Sequence, residues 1–131
     1  MNSQNNFNWI ELDLVLTVHE AQIAEHGGTS GVRDAGLLAS ALTRPRNAAI
    51  YSNADACEIA AFYALGIIRD HPFIDGNKRV GAVLLETFLE DNGFEFPVED
   101  SQLVDVYLQV ADGSMSEEQF IGWVKKGARR R

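Results

Sequence analysis

The chain has 131 residues, of which 46% are hydrophobic, and a net charge of −8 at pH 7. This length suits one domain, residues 1–131, with its own core. Nucleic-acid-binding surfaces are usually basic, so the acidic balance argues against direct DNA or RNA binding. The single cysteine excludes an intrachain disulfide, and no apolar run reaches the roughly 18 residues of a membrane span. Because the N-terminus is polar and lacks a signal-peptide core, we expect a cytoplasmic protein with no membrane partner.

Apolar residues at helical spacing predict an all-α, single-domain bundle of about six helices. In chain order the predicted helices span residues 12–26, 35–42, a segment from a cap at Ser52 or Asn53 to about 69, then 77–92, 100–111 and 117–126. Pro45 is expected to stop the second helix, which leaves residues 46–53 irregular. The third helix is apolar on almost every side, so we expect it at the centre of the bundle.

The chain downstream of the fourth helix carries weaker signals. Residues 94–96 are too few to predict more than an extended connector. Ser116 followed by Gln119 is the spacing of a capping box, so Ser116 is expected to cap the last helix. The basic tail, residues 125–131, is interpreted as a helix C-terminus with favourable cations and a frayed end.

The stretch His-Pro-Phe-Ile-Asp-Gly-Asn-Lys-Arg, residues 71–79, is the most informative part of the sequence. It is predicted to be a loop that leads into the fourth helix, between the two central helices. Lys78 and Arg79 fall in the first turn of that helix, where cations oppose the positive end of the helix dipole. Such a helix start indicates a site for an anion. We expect Arg69, with Arg44 and Arg46 as further candidates, to complete a local basic island.

Each group in this loop suits the transfer of a phosphoryl or nucleotidyl group. Histidine titrates near neutral pH, so His71 can accept the proton of an attacking hydroxyl. Asp75 offers hard oxygen ligands for Mg²⁺, which often uses one carboxylate together with substrate phosphates. Taken singly, Asp75 could equally be a helix cap and His71 a partly buried structural histidine. Their conjunction within nine residues favours a functional site.

The remaining polar groups of the loop are candidates for holding the phosphates. Gly76 lets the backbone come close to a phosphate, and the N–H groups at the helix start can form an anion-binding nest. Asn77 can donate to a phosphate oxygen. Arg79 can bind a phosphate through its planar fork, and Lys78 adds a point charge.

Residues 71–79 resemble the signature His-Pro-Phe-x-Asp/Glu-Gly-Asn-Gly-Arg of the Fic/Doc family. Lysine at the second glycine position is similar to the Doc (death-on-curing) branch, in which Asn-Lys-Arg is typical. The likeness extends upstream to residues 19–21, 26–28 and 31–38, so it covers nearly the whole chain. From the residues alone we interpret His19 as a packing residue or a partner contact, and His26 as the C-terminal residue of the first helix.

The resemblance implies an ATP- and Mg²⁺-dependent enzyme. In it His71 would be the general base, Asp75 would hold Mg²⁺, and the phosphates would lie against Gly76, Asn77, Lys78 and Arg79. Fic enzymes with the second glycine usually transfer AMP, whereas Doc-like proteins are associated with transfer of the γ-phosphate to a protein hydroxyl. The resemblance further implies a toxin of a type II toxin–antitoxin module, with a cognate antitoxin and an elongation factor similar to elongation factor Tu as the target.

Three alternatives to this kinase reading differ in chemistry. Transfer of AMP would use the same fold, and the retained Gly76 leaves that choice open. A binding protein without turnover would be expected to lose His71, Asp75 or Arg79, and all three are present. A metal-dependent phosphohydrolase would need more ligands than this loop supplies. A self-inhibitory helix of the family's type finds its nearest match at Ser114 and Glu118, where helix capping by Ser116 is the simpler interpretation.

Overall fold

The computed structural model describes residues 6–131. The polar N-terminal segment, which is predicted to lack a signal-peptide core, lies partly outside these residues. Its six α-helices confirm the predicted all-α class. They are α1 (Leu12–His26), α2 (Ala35–Ser52), α3 (Ala56–Asp70), α4 (Asn77–Asp91), α5 (Asp100–Asp112) and α6 (Glu117–Gly127), joined by a two-residue antiparallel ribbon of β1 (Phe94–Glu95) and β2 (Arg129–Arg130). No helix in the described part combines the length and apolar character that would cross a bilayer.

Helix α3 is the centre of the bundle, as its all-round apolar pattern predicts. Two glycines allow its neighbours to approach closely. A Cβ added at Gly66 would lie 2.9 Å from the Cβ of Ala41 on α2, and one added at Gly81 of α4 would lie 2.7 Å from Cγ1 of Ile68. Because glycine has no side chain, α3 packs closely against α2 and α4 at these two crossings. The loop that joins α3 to α4 therefore has rigid helices on both sides.

Helix α2 is longer than predicted, and the expectation that Pro45 would end it near residue 42 is wrong. Pro45 lies inside the helix and is buried. Proline lacks an N–H, so the carbonyl of Ala41 loses its usual donor, which costs about 3 kcal/mol in an isolated helix. Burial of Leu38, Ala41, Pro45 and Ala49 on one helical face offsets this cost. Residues 46–52 are therefore helical and not irregular.

The N-terminus of α3 also differs from the prediction. The cap is Asp55 and not Ser52 or Asn53. The Asp55 carboxylate accepts a hydrogen bond from the backbone N–H of Glu58 at 2.9 Å, and Glu58 accepts one from the backbone N–H of Asp55 at 3.1 Å. This reciprocal capping box satisfies two N–H groups that would otherwise lack partners. Asn53 instead ends α2 in a left-handed conformation.

The basic C-terminus is paired, contrary to the predicted frayed end. Residues Phe94 and Glu95 pair with Arg130 and Arg129, respectively, and the guanidinium of Arg130 lies 5.0 Å from the centre of the Phe94 ring. The extended connector after α4 thus becomes a strand because the tail provides the second strand of the ribbon. Cation–π contact and backbone pairing together hold the tail against the end of α4.

Helix α6 is held to the bundle by a charged cluster whose arginines were predicted to form part of a basic island. Arg44 makes a two-pronged ion pair with Glu117, at 2.9 and 2.8 Å, and Arg69 reaches the same carboxylate at 3.5 Å. The paired guanidinium of Arg44 holds the pKa of Glu117 below its usual range. Arg46 pairs with Glu11. The predicted basic island therefore loses Arg44, Arg46 and Arg69, which have structural partners. The capping box of Ser116 and Gln119 at the start of α6 is confirmed.

The close crossing at Gly66 generates a stability prediction. We expect Gly66→Ala to lower the free energy of unfolding by about 1–3 kcal/mol, because the added methyl would overlap Ala41. Gly122→Ala in α6 is the matched control, since a Cβ there meets nothing within 4 Å, and alanine should raise stability by about 0.5–1 kcal/mol through its helix propensity. Urea unfolding of both variants measures the difference. Equal effects of the two changes would contradict the proposed crossing.

Candidate functional site

Residues 71–79 comprise the loop between α3 and α4 together with the first residues of α4, and they divide between the interior and the surface. Pro72, Phe73 and Asn77 are buried. Four residues with predicted chemical roles are exposed: His71, Asp75, Lys78 and Arg79. Gly76 is half-buried and Asn77 is buried. The buried residues anchor the loop, and the exposed ones are accessible to solvent.

Asn77 closes this loop on itself. Its Oδ1 accepts a hydrogen bond from the backbone N–H of Phe73 at 3.1 Å, and its Nδ2 donates to the backbone carbonyl of Phe73 at 3.0 Å. The side chain is 8% exposed. The Asn77 side chain was predicted to donate to a phosphate, but its amide is directed at the loop backbone. The Asn77 backbone N–H, in the first turn of α4, remains a candidate donor to an anion.

A second segment, residues 31–34, fastens the start of the loop. The guanidinium of Arg33 donates to the carbonyls of Asp70 and His71, at 2.7 and 2.6 Å, where α3 ends and its last carbonyls lack helical partners. The backbone N–H groups of Arg33 and Asp34 both donate to the carbonyl of Pro72, at 2.7 and 3.0 Å. The loop is thus held to the α1–α2 connection along its backbone.

His71 sits where α3 ends, in a left-handed backbone conformation with φ 50° and ψ 56°. Non-glycine residues adopt this conformation at an energetic cost and are often found at functional sites. Arg33 satisfies the His71 carbonyl, so the backbone is fixed while the imidazole is exposed. The position suits a side chain that meets an incoming hydroxyl.

The carboxylate of Asp75 is oriented by two backbone N–H groups. Oδ1 accepts from Gly76 at 2.9 Å, and Oδ2 accepts from Thr29 at 3.3 Å. A Cβ at Gly28 would lie 2.7 Å from Oδ2, so the absence of a side chain there leaves room for the carboxylate. Two N–H bonds occupy part of its acceptor capacity, and the remaining lone pairs can bind a cation.

The start of α4 has the features of an anion site. Gly76 precedes it in a left-handed conformation, φ 80°, and no side chain caps the helix. The N–H groups of the first turn therefore lack intrahelical acceptors. Unlike Arg44, Arg46 and Arg69, neither Lys78 nor Arg79 has an ion-pair partner among residues 6–131.

A cavity of about 470 Å³ adjoins these two cations, between the start of α4 and α5. Its lining includes Lys78, Arg79, Asp100 and Tyr107. Tyr107 is 4% exposed, and its hydroxyl has no hydrogen-bond partner within the described part of the chain. Burial, reinforced by the carboxylate of Glu86, raises the pKa of the Tyr107 hydroxyl, so it keeps its proton. The size is that of an ordinary small-molecule site.

A larger groove of about 590 Å³ lies between α1 and α2. Its lining is mostly apolar and includes Leu12, Leu16, Leu42 and Ile50. None of the exposed polar groups of residues 71–79 borders it. Volume alone favours this groove, but the chemistry favours the smaller cavity, because Lys78 and Arg79 line it.

Several residues that shape this site had no role predicted from the sequence. They include Arg33, which caps α3, Gly28, which admits the Asp75 carboxylate, and Tyr107 in the cavity. His19, interpreted as a packing residue or a partner contact, is buried and stacks on Phe73. Each contact joins residues far apart in the chain, so periodicity carries no signal for it.

Several known proteins are similar to this chain. The model of the Fic/DOC family matches residues 9–89. A relative from Escherichia phage P1, "Protein kinase doc", is 29% identical over 103 residues, which cover 78% of this chain and 81% of the relative. "Toxin Doc" of Mycolicibacterium smegmatis is 40% identical over 73 residues, 53% of this chain and 55% of that protein. A Fido domain-containing protein of Dictyostelium discoideum is 41% identical over 51 residues, 39% of this chain and 36% of that protein.

The contrast between Asn77 and Lys78 generates a second prediction. Asn77→Ala should lower the free energy of unfolding by about 1–3 kcal/mol, because it leaves the buried N–H and carbonyl of Phe73 unpaired. Lys78→Ala should change stability by less than about 0.5 kcal/mol, with a slight gain favoured because it removes a cation from the helix N-terminus. Urea or thermal unfolding distinguishes the two. A stable Asn77→Ala protein would show that the amide does not hold the loop.

Proposed function

The chain belongs to the Fic/Doc family, and from this we propose that it is a Doc-type toxin that transfers the γ-phosphate of ATP to a hydroxyl of a target protein. One observation carries the proposal. In residues 71–79 the buried residues hold the backbone, while His71, Asp75, Lys78 and Arg79 remain exposed around one helix start. A protein in which the loop were only structural would have no need for four solvent-facing polar groups of these types at this place.

The phosphates would lie at the start of α4. The free N–H groups of its first turn and the two cations Lys78 and Arg79 all favour a polyanion there. Arginine binds phosphate through two parallel N–H groups, and lysine adds a point charge. The adjoining cavity, lined in part by Tyr107, has room for the nucleoside part of the molecule. We propose ATP as this ligand.

Asp75 is suited to hold Mg²⁺ together with those phosphates. Its carboxylate is exposed and already oriented by the N–H groups of Gly76 and Thr29. Among residues 6–131 no three His, Cys, Asp or Glu side chains could form a metal cage by themselves, which is the usual situation where Mg²⁺ takes most of its ligands from phosphate and water. When bound, Mg²⁺ would neutralise part of the charge on the phosphates.

His71 would act on the target. Its imidazole accepts the proton of a protein hydroxyl, and the hydroxyl oxygen forms a bond with the γ-phosphorus while the bond to the β–γ bridging oxygen breaks. The products are a phosphorylated protein and ADP, and the proton leaves on the imidazole. The left-handed backbone of His71, fixed by Arg33, would hold the base in one orientation during this step.

Transfer of AMP is the second candidate. Gly76 is retained at φ 80°, as in Fic enzymes, so the backbone at the start of α4 is open to a phosphate. The bulk of Lys78 argues for the kinase reading, because a cation in place of glycine could exclude the α-phosphate and change which phosphorus faces the nucleophile. The two chemistries differ in which phosphorus of ATP reaches the target.

The biological setting is also part of the proposal. Two relatives carry the names "Protein kinase doc" and "Toxin Doc", which supports a cognate antitoxin as the neutralising partner. We propose a translation elongation factor, similar to elongation factor Tu, as the target, and therefore a cytoplasmic site of action. A reaction of this kind would inhibit translation.

Label transfer tests the enzyme reading. Purified protein, Mg²⁺ and cell lysate are incubated with ATP labelled at either the α- or the γ-phosphorus. We expect a protein band labelled from the γ position alone. His71→Asn, which suits the left-handed backbone, and His71→Ala should lower the rate by about 10²–10⁴, whereas His26→Ala, a change at an exposed histidine of α1, should not. Label from the α position would establish AMP transfer instead, and no label from either would exclude both reactions.

Lys78→Gly tests the choice of donor phosphate. If the lysine side chain excludes the α-phosphate, the glycine variant should gain transfer from α-labelled ATP and lose transfer from γ-labelled ATP. Arg79→Gly is a suitable control, because it removes a neighbouring cation and should weaken both reactions. Unchanged use of γ-labelled ATP by Lys78→Gly would contradict the crowding argument.

A further inference from the structure

His19 lies on α1, one of two buried residues of that helix, and faces the loop of residues 71–79. It is 2% exposed. Its ring is parallel to that of Phe73, with an interplanar angle of 9° and 3.9 Å between centroids. Its Nε2 lies 3.0 Å from the backbone carbonyl oxygen of Asp75. A carbonyl oxygen can only accept, so Nε2 carries the proton in this bond.

We propose that His19 is a positioning residue that aims the carboxylate of Asp75 at the Mg²⁺-bound phosphates. This inference rests on the proposed function of Asp75. The role differs from simple packing because it acts through one peptide group, the unit that joins Asp75 to Gly76.

The geometry of a peptide carries the orientation from His19 to the carboxylate. In a planar trans peptide the C=O and the N–H point in opposite directions. When His19 fixes the carbonyl of Asp75, it therefore fixes the N–H of Gly76 as well. That N–H donates to Oδ1 of the Asp75 carboxylate at 2.9 Å. The side chain of Asp75 is thus held by a peptide whose orientation His19 determines.

Other contacts from α1 and the following residues support the same arrangement. Oδ2 of Asp75 accepts from the N–H of Thr29. Cδ1 of Ile23, one helical turn after His19, lies beside both glycines of the site: it would be 3.2 Å from a Cβ at Gly28 and 3.4 Å from one at Gly76. The peptide that follows Asp75 is enclosed on the α1 side, and it can rotate only if these contacts are broken.

Groups that orient metal ligands through a hydrogen bond alter metal affinity about 10–100-fold when they are removed. Two substitutions separate the hydrogen bond from the ring. His19→Phe keeps an aromatic ring against Phe73 and loses the N–H donor. His19→Gln keeps an N–H donor and loses the ring. Val15→Ala, at the other buried residue of α1, reduces the packing of α1 while it keeps the His19 hydrogen bond, so it serves as the stability control.

The first readout needs neither nucleotide nor metal. Amide hydrogen exchange measured by NMR on the free protein should show faster exchange at Gly76 and Thr29 in His19→Phe than in the parent, with exchange in α3 unchanged. His19→Gln should restore the slower rates, and Val15→Ala, which loosens α1 but keeps the His19 hydrogen bond, should speed exchange at both amides less than His19→Phe does. If the two amides exchange in His19→Phe as they do in the parent, His19 only packs and the inference is wrong.

The second readout is binding of ATP by calorimetry, with Mg²⁺ and with chelator. His19→Phe should lose about tenfold in affinity for ATP in the presence of Mg²⁺ and bind metal-free ATP as the parent does. His19→Gln should recover most of the loss. Equal losses with and without Mg²⁺ would contradict a role through Asp75. If the parent itself shows no Mg²⁺-dependent binding, the proposed function fails, and the amide exchange still decides whether His19 orients this peptide.

Discussion

The pair of hydrogen bonds between Asn77 and Phe73 is the constraint on which the site depends. The chain must leave α3, turn, and enter α4 within a few residues, while Gly81 keeps the two helices close together. The backbone N–H and C=O groups of a buried loop are not paired by a helix or a sheet, so they need other hydrogen-bond partners. The buried amide of Asn77 supplies both a donor and an acceptor to Phe73. Because this closure is made inside the protein, the loop surface is free for other groups.

Residues on the loop surface lower the stability of the folded protein. Lys78 and Arg79 stand at the positive end of the α4 dipole, where cations are disfavoured by a few tenths of a kcal/mol or more, and His71 takes a left-handed backbone that favours glycine or asparagine. By contrast, α3 and α6 begin with full capping boxes. The unfavourable cations and the left-handed His71 coincide with the loop that the Fic/Doc signature marks, as expected where local stability gives way to function.

The accuracy of the sequence predictions followed the range of the interactions, except at the start of α3, where the local capping box of Asp55 and Glu58 was missed. The bounds of α1 and the cap of α6 depend on neighbours three or four residues apart, and both were predicted. Pro45 was misjudged because its local cost is offset by packing of α2 on α3, which only the folded chain provides. The tail and Arg44 were misjudged for the same reason, since their partners, Phe94 and Glu117, are far away in sequence. The loop of residues 71–79 could be recognised by composition, yet the inward direction of Asn77 could not.

Helix α1 shows how a peripheral element can still serve the site. Along this 15-residue helix Val15 and His19 are the buried residues, so its attachment to the bundle depends strongly on each of them. His19 makes its contacts with the loop itself, through Phe73 and the carbonyl of Asp75. Docking of α1 and the shape of the loop are therefore coupled, and such coupling is reciprocal. Whatever binds the loop in its present shape also strengthens the attachment of α1, and whatever loosens α1 weakens the loop.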